Sequence, residues 1–275
     1  MNKLVSIILP TYNGSKWIKK ALESVFAQSY TDWELLVIDD GSEDNTSIIV
    51  DSYVNKDQRI KYIKNDSNIG IQKTLNKGLK EAKGEYIARI DDDDIWVDKY
   101  KLEKQVEFFE NNKDYVLVGT GVIMANENGE ELFRYLLPEK DYDIKNKLLG
   151  KNCFAHSSVL FRKDSAIKCG GYSEDKDTLH IEDYDLWLKL GTIGKLANLP
   201  TYSLKYTIRE SSLSATNRLE VFRKLLSYLK KHKNNYNNYY PMLIRAYARF
   251  VLYSIYIKLP KKFSLNRIIK LYKER

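Results

Sequence analysis

The sequence predicts an α/β fold, with a mainly parallel sheet, helices on both of its faces, and a helical extension at the C-terminus. Strand and helix patterns alternate over the first two fifths of the 275-residue chain, which is typical of βαβ units. From about residue 219 the pattern becomes helical and basic. A chain of this length can bury a sizeable core as one large domain.

The alternating part begins with a short apolar strand. Trp17, Ile18 and Ala21 recur at helical spacing after it and indicate an amphipathic helix. The predicted elements of this part are, in order, strand 4–9, helix 15–28, strand 34–38, helix 46–54, strand 60–63, helix 70–82, strand 85–90 and helix 98–111.

The pattern changes after residue 114. Segments 115–124 and 131–135 flank a polar loop that contains Gly129, and together they predict an antiparallel hairpin. The remaining predicted elements are strand 157–161, helix 181–190, strand 199–208, and helices over 219–229 and 244–258 that are separated by a Tyr/Asn-rich segment and Pro241.

Composition bears on location and partners. The net charge is +8, and Lys and Arg greatly exceed acidic residues from Arg218 onward, which predicts contact with an anionic surface, either a membrane leaflet or nucleic acid. The first apolar run is too short for a signal peptide, and no run is long enough to span a bilayer. Cys153 and Cys169 fit neither a metal site nor a disulfide framework. We therefore expect a cytoplasmic protein, with peripheral contact at the inner face of the membrane.

Four consecutive aspartates, Asp91 to Asp94, directly follow the predicted strand 85–90. Like charges this close raise one another's pKa unless a cation relieves them, and a hard divalent ion that also holds substrate phosphates is the commonest relief. A solvated acidic loop is the simpler alternative. An EF-hand is excluded because Trp96 stands where its loop needs glycine.

Three polar clusters follow the carboxyl ends of three predicted strands. They are 10–13, 39–40 and 91–94. In a doubly wound sheet, ligands bind beyond these strand ends, so the clusters should meet at one rim. Neither a Gly-x-Gly-x-x-Gly fingerprint nor a Walker loop is present, so a nucleotide must be held in another way.

Six segments resemble the inverting, non-processive bacterial type of family 2 glycosyltransferase, which has the GT-A fold. They are VSIILPTYNG (5–14), LESVFAQS (22–29), WELLVIDDGS (33–42), NIG (68–70), GEYIARIDDDD (84–94) and IEDYDLW (181–187). The resemblance implies a GT-A catalytic domain over 1–214, with a nucleotide-sugar-binding part (1–114) and an acceptor-binding part (115–214). Residues 215–275 would form the basic helical extension.

The resemblance implies that Tyr12 stacks near the base of a nucleotide sugar, usually a UDP sugar, and that Asp40 accepts a hydrogen bond from this base. Asp91 or Asp92 would face the ribose, and Asp93 would bind Mn²⁺ or Mg²⁺ on the diphosphate, supported by Asp94. The full set expected on the nucleotide-sugar side is Pro10, Thr11, Tyr12, Asn13, Asp40, Asn68, Gly70, Lys73, Asp91 and Asp92.

Asp183 matches the family's catalytic base, and Glu182 and His156 match positions around the acceptor. The alternative for the acidic pair is stabilisation of a helix N-terminus, and for His156 a structural role. His180 is a further candidate for contact with the acceptor. Other polar positions stay open: Lys73 and Arg89 face the diphosphate or are paired surface charges, and Arg209 stands where the family often has histidine.

The expected function is transfer of one sugar, with inversion, to a glycan or lipid-linked glycan in bacterial surface polysaccharide or lipopolysaccharide synthesis. The Gln-x-x-Arg-Trp motif of processive synthases is absent. A nucleotidyltransferase and a basic nucleic-acid-binding protein are the alternatives. The first usually has a glycine-rich phosphate loop that 10–14 does not resemble, and an acidic rim would repel nucleic acid. The C-terminal helices either lie at a membrane interface or pack against the catalytic domain.

Overall fold

The computed structural model describes residues 3–208 and 218–256. Its elements are β1 (Val5–Thr11), α1 (Ile18–Phe26), β2 (Trp33–Asp39), α2 (Thr46–Val54), β3 (Ile60–Lys64), α3 (Ile71–Glu81), β4 (Tyr86–Arg89), β5 (Ile95–Trp96), α4 (Lys101–Asn111), β6 (Tyr115–Ala125), β7 (Glu131–Tyr135), α5 (Asp141–Leu148), β8 (Leu160–Arg162), α6 (Lys163–Lys168), α7 (Glu182–Ile193), β9 (Lys195–Thr207), α8 (Arg218–Lys231) and α9 (Tyr239–Tyr256). Short 3₁₀ turns cover His156–Ser158 and Lys176–Thr178.

One mixed sheet organises the chain, in the order β3-β2-β1-β4-β8-β6-β9-β5, with β7 beside β6. β1 pairs in parallel with both β2 and β4, so the carboxyl ends of these strands lie together. The predicted hairpin is confirmed, because β6 and β7 pair antiparallel. The α/β fold class with a mainly parallel first half is therefore confirmed.

The sheet separates two apolar cores because its central strands are buried on both faces. Ile7 and Leu35 face one core, to which α1, α2 and α4 contribute. Ile8 and Leu36 face the other, which contains residues of α3, α5, α7, α8 and α9. This arrangement explains why the strands read as continuous apolar runs rather than alternating ones.

Several predicted elements are corrected by the structure. The four aspartates lead into the short strand β5 rather than directly into a helix, and α4 begins only at Lys101. In the predicted strand 157–161, Ser157 and Ser158 lie in a 3₁₀ turn, and β8 starts only at Leu160. α9 begins at Tyr239 and includes Pro241 in its first turn, where proline removes no helical hydrogen bond.

The C-terminal helices pack against the α/β part of the chain. Tyr228, Leu229, Met242 and Ala246 belong to the same core as Trp187 of α7. Packing against the rest of the chain was one of the two alternatives for these helices, and it is confirmed for the side that carries these four residues. The predicted boundary between 214 and 215, the candidate Arg209 and the end of the predicted helix 244–258 lie outside the described residues.

Candidate functional site

A cavity of about 880 Å³ opens where the first strands end. It brings together the predicted residues of three separate clusters and both acidic residues that open α7. Its lining includes Pro10, Thr11, Tyr12, Asn13, Asp40, Asn68, Gly70, Asp91, Asp92, Asp93, His156, His180, Glu182 and Asp183. Lys73 does not line the cavity and is exposed. Ile71 and Thr74, on the same helix, line it instead.

The loop after β1 is held open by specific polar contacts. Asn13 has a positive φ of 53°, its N–H donates to Ser42 Oγ at 2.8 Å, and its Oδ1 accepts from the Glu43 N–H at 3.0 Å. Asn13 thus fixes the backbone of the loop. Tyr12 is left 51% exposed at the cavity wall, with an aromatic face available to a ligand.

Asp40 organises the neighbouring loop. Its Oδ1 accepts from Asn65 Nδ2 and from the Ile69 N–H, both at 2.9 Å, and its Oδ2 accepts from the Gly70 N–H at 2.9 Å. A carboxylate offers about four acceptor positions. One position therefore remains for a ligand, and the carboxylate itself is held rigidly. Asn68 accepts from the same Gly70 N–H at 3.2 Å.

The aspartate run has different environments at each position. Burial alone would raise the pKa of Asp91, but Arg89, at 2.5 Å, and Ser157 hold it below its usual value. Asp92 Oδ2 accepts from Thr11 Oγ1 at 2.7 Å. Gly14 is needed beside this pair, since a Cβ there would lie 2.3 Å from both oxygens. Asp91, Asp92 and Asp93 all line the cavity.

Asp94 lies behind this wall and is only 1% exposed. Its Oδ1 accepts from the Thr207 N–H at 3.2 Å, whereas its Oδ2 has no hydrogen-bond partner. Burial, Asp93 and Asp91 raise its pKa well above the usual value. The repulsion among these carboxylates is what a divalent cation would relieve.

The residues fit a metal ion that is shared with substrate. Within residues 3–208 and 218–256, no three His, Cys, Asp or Glu side chains form a preformed metal site. A Mg²⁺-like ion commonly uses only one or two carboxylates and completes its coordination with phosphate oxygens and water. The cavity-facing aspartates suit that mode.

Arg89 is neither a surface charge nor part of the cavity lining. It is 1% exposed, donates to the backbone oxygen of Ile90 and pairs with Asp91. From behind the cavity wall, Arg89 holds Asp91 ionised and in place.

Glu182 and Asp183 occupy the first turn of α7. Burial raises the pKa of Asp183 to about 6, opposed by the hydrogen bond from Asn152 Nδ2 to its Oδ2 at 3.0 Å. Burial and the neighbouring Asp183 raise the pKa of Glu182 to about 7, and Glu182 Oε2 has no partner. Both pKa values are raised although a helix N-terminus favours the charged form. A carboxylate with a pKa near neutrality suits a general base.

His156 lines the cavity and is held by neighbouring aromatic side chains. Its Nε2 lies 3.0 Å from Tyr172 Oη, and its ring contacts Trp187 edge-on. Burial and Arg89 lower its pKa to about 3, so it is neutral. His180, with a positive φ of 72°, also lines the cavity.

Two residues important to the site were not predicted from the sequence. Ser157 accepts from the Asp91 N–H at 2.9 Å and donates to Asp91 Oδ2 at 3.0 Å, and Asn152 positions Asp183. Ser157 stands in the Ala-His-Ser-Ser segment whose histidine was singled out, so proximity in sequence was its only signal. Asn152 carried none.

Comparisons with known proteins show the family of this chain. The Glycosyl transferase family 2 profile matches residues 6–170. The Escherichia coli protein WfgD, a UDP-Glc:alpha-D-GlcNAc-diphosphoundecaprenol beta-1,3-glucosyltransferase, is 32% identical over 258 residues, which cover 86% of this chain and 97% of WfgD.

Solved structures share the fold. The 1-349 fragment of S. aureus TarS in complex with UDP-GlcNAc matches with a TM-score of 0.67 and 22% identity, over 90% of this chain and 71% of that one. The Pyrobaculum calidifontis mannosyltransferase PcManGT, in complex with GDP-Man and Mn²⁺, matches with a TM-score of 0.69 and 18% identity, over 91% and 70%. The chain belongs to glycosyl transferase family 2 and is a glycosyltransferase.

Proposed function

We propose that this enzyme transfers a single sugar from a UDP sugar to a hydroxyl of a lipid-linked glycan, with inversion, during assembly of a bacterial surface polysaccharide. One observation carries the proposal. Asp183, a carboxylate with its pKa raised to about 6, lines the same cavity as Tyr12 and the aspartates that suit a metal-bound diphosphate.

The donor would lie along the ends of β1, β2 and β4. Tyr12 offers its exposed face to the base, and the remaining acceptor position of Asp40 suits the N3 hydrogen of uracil. Asp92, fixed by Thr11, suits a ribose hydroxyl. The UDP-GlcNAc bound by TarS and the GDP-Man bound by PcManGT support a nucleoside diphosphate sugar as the donor class.

Asp93 is the proposed metal ligand, with Asp91 as its neighbour on the wall. A bound Mn²⁺ or Mg²⁺ would neutralise the charge that develops on the departing diphosphate. The Mn²⁺ in the PcManGT complex supports a divalent ion. The crowding of Asp91, Asp93 and Asp94, which together with burial raises the pKa of Asp94, supports a cation beside Asp93 on this chain's own chemistry.

Asp183 acts as the general base. The acceptor oxygen attacks the anomeric carbon as its proton passes to the Asp183 carboxylate, while the bond to the diphosphate oxygen breaks and the diphosphate leaves with the electron pair. Asn152 keeps the carboxylate oriented through its hydrogen bond. Attack opposite to the leaving group inverts the anomeric centre, and no covalent enzyme intermediate is needed.

The outer face of α9 is proposed to rest on an anionic membrane at its inner leaflet. Ile244, Val251 and Ile255 are 69%, 49% and 54% exposed on one side of the helix. Residues 218–275 contain 15 Lys and Arg against two acidic residues, which complements anionic lipid. In the described part of the chain, no helix is both long and apolar enough to cross a membrane.

Vesicle sedimentation tests the membrane contact. Ile244→Ser with Val251→Ser should release the protein from anionic vesicles without changing the binding of UDP. If the exposed face instead joins two copies of the chain, the same variant would shift the oligomeric state in analytical ultracentrifugation and leave vesicle binding unchanged.

Two substitutions test the catalytic proposal. Asp183→Asn should keep Mn²⁺-dependent UDP binding and lose transfer by about 10²–10⁴-fold, because the base lies on the acceptor side. Asp93→Ala should weaken UDP binding only when Mn²⁺ is present. Calorimetry with UDP, with and without Mn²⁺, separates the two. Full transfer activity in Asp183→Asn would rule out Asp183 as the base. If UDP binding by Asp93→Ala depended on Mn²⁺ as strongly as binding by the wild type, Asp93 would be ruled out as the metal ligand.

A further inference from the structure

A second cavity, of about 470 Å³, lies between the loop after α5 and the helix α9. Its polar lining is dominated by four cations, Lys147, Lys151, Arg245 and Arg249. None of these four residues belongs to the proposed donor site or lies in the larger cavity with Asp183.

In the part of the chain that the structure describes, the four cations of this cavity form no ion pairs. Over residues 3–208 and 218–256, no carboxylate lies within 4 Å of any of the four cations. Four like charges around one cavity repel one another, and an anion bound among them would relieve the repulsion. Three of the cations act on the same residue of the cavity lining. Burial raises the pKa of the Cys153 thiol to about 12, and the positive charges of Lys151, Lys147 and Arg249 oppose this rise.

The cavity is built on a fixed frame. A Cβ at Gly150 would lie 2.8 Å from Met242 Sδ, so α9 packs directly on the loop. Arg249 Nη1 donates to the Gly150 oxygen at 2.6 Å, and Asn238 Nδ2 donates to Asn146 Oδ1 at 2.7 Å. These contacts hold the cations of α9 opposite Lys147 at the end of α5 and Lys151 in the loop that follows.

The cavity is adjacent to the catalytic base. Asn152 lines it and also donates to Asp183 at 3.0 Å. Phe154, Ala155 and His156, which follow in the chain, line the larger cavity. Asn152 therefore joins the basic cavity to Asp183 through a single residue.

We propose that this basic cavity, defined by Lys147, Lys151, Arg245 and Arg249, binds the phosphate or diphosphate group of the acceptor, next to the sugar whose hydroxyl meets Asp183. Guanidinium and ammonium groups are the usual phosphate-binding side chains. The inference rests on the proposed function, because it places the acceptor anion relative to the proposed base. It explains how an acceptor carrying one sugar on a diphosphate can be recognised.

Calorimetry on the full chain tests this site apart from turnover. Octyl diphosphate is titrated into enzyme saturated with UDP and Mn²⁺, so that the donor site is already filled. The triple variant Lys147→Gln, Lys151→Gln, Arg245→Gln should bind octyl diphosphate at least tenfold more weakly than wild type. Arg249 is left unchanged because it also supports Gly150.

Matched controls separate a site from general charge loss. Lys20→Gln, Lys80→Gln, Lys168→Gln removes three exposed lysines outside both cavities and should change octyl diphosphate affinity less than twofold. UDP affinity should be unchanged in both triple variants. Octyl glucoside, which lacks phosphate, should not distinguish the wild type from either variant.

The possible results separate a failure of the cavity proposal from a failure of the proposed function. The cavity proposal alone would be overturned if wild type and the cavity variant bound octyl diphosphate with equal affinity. It would also be overturned if wild type bound UDP but did not bind octyl diphosphate. Loss of UDP binding by wild type would overturn the proposed function itself. If inorganic pyrophosphate binds as tightly as octyl diphosphate, the cavity recognises the anion alone, as in a soluble acceptor; tighter binding of octyl diphosphate identifies a lipid-linked one.

Discussion

The pH dependence of transfer gives the sharpest test of Asp183 as the base. A base must be ionised to accept the acceptor proton, so kcat/KM should fall on the acidic side with the pKa of Asp183. Burial raises that pKa to about 6. At pH 5 the ionised fraction, and with it kcat/KM, should be about tenfold below its plateau. An unperturbed aspartate would still be almost fully ionised at this pH.

Asn152 provides the directional part of the test. Its amide donates to the ionised form of Asp183 and lowers the pKa of that carboxyl. Asn152→Ala removes this stabilisation, which for a hydrogen bond to a charged group is worth about 1.5 kcal/mol or more, or roughly one pH unit. The acidic limb of Asn152→Ala should therefore move to a higher pH than that of the wild type.

The assay is the rate of UDP release with saturating donor and Mn²⁺, measured from pH 4.5 to 8.5 in the presence of acceptor. UDP binding is measured across the same range, so that titration of the metal-side aspartates is not mistaken for titration of the base. A wild-type acidic limb below pH 5 would refute the raised pKa. An unshifted limb in Asn152→Ala would refute the proposed role of the amide.

Three further changes test other parts of the site. Tyr12→Ala should weaken UDP binding by about 1–3 kcal/mol by removing the stacking face, while Tyr142→Ala, at an exposed tyrosine outside both cavities, should leave calorimetric affinity unchanged. Gly14→Ala should displace Asp92, because the new Cβ would lie 2.3 Å from its Oδ2; UDP affinity should fall while the circular dichroism spectrum is preserved. Glu182→Gln should raise the melting temperature at pH 8 by removing a buried charge whose pKa is raised to about 7, a gain of at most about 3 kcal/mol. Because a raised carboxyl pKa costs stability only where the group is ionised, this gain should vanish near pH 4, and an equal gain at both pH values would contradict the assignment.

Much of the sheet could be predicted because its strands are short apolar runs separated by helices with clear helical periodicity. The errors fall where local patterns are weak. α5 buries only Ile144 and Leu148, and β5 is two residues long. β9 begins at Lys195, four residues before the predicted start. The structure accommodates Pro200 inside this strand with a shift in register between Leu199 and Tyr202 opposite β6.

The candidate site divides in the same way. The residues on the strand ends could be predicted, since each cluster follows an apolar strand and parallel strands bring their carboxyl ends together. Asn152 and Ser157 could not, because their importance arises from contacts with Asp183 and Asp91 that are distant in sequence. The role of Lys73 stayed open because helical spacing alone does not say which side of α3 faces the cavity.

The loop after α5 connects the C-terminal helix α9 to Asp183. Arg249 of α9 holds Gly150, and two residues later Asn152 holds Asp183. A shift in the position of α9 would therefore alter the position of Asp183 through the short backbone segment from Gly150 to Asn152. The same helix presents an apolar face to the outside, so attachment to a membrane and placement of the acceptor hydroxyl would be coupled through a single element.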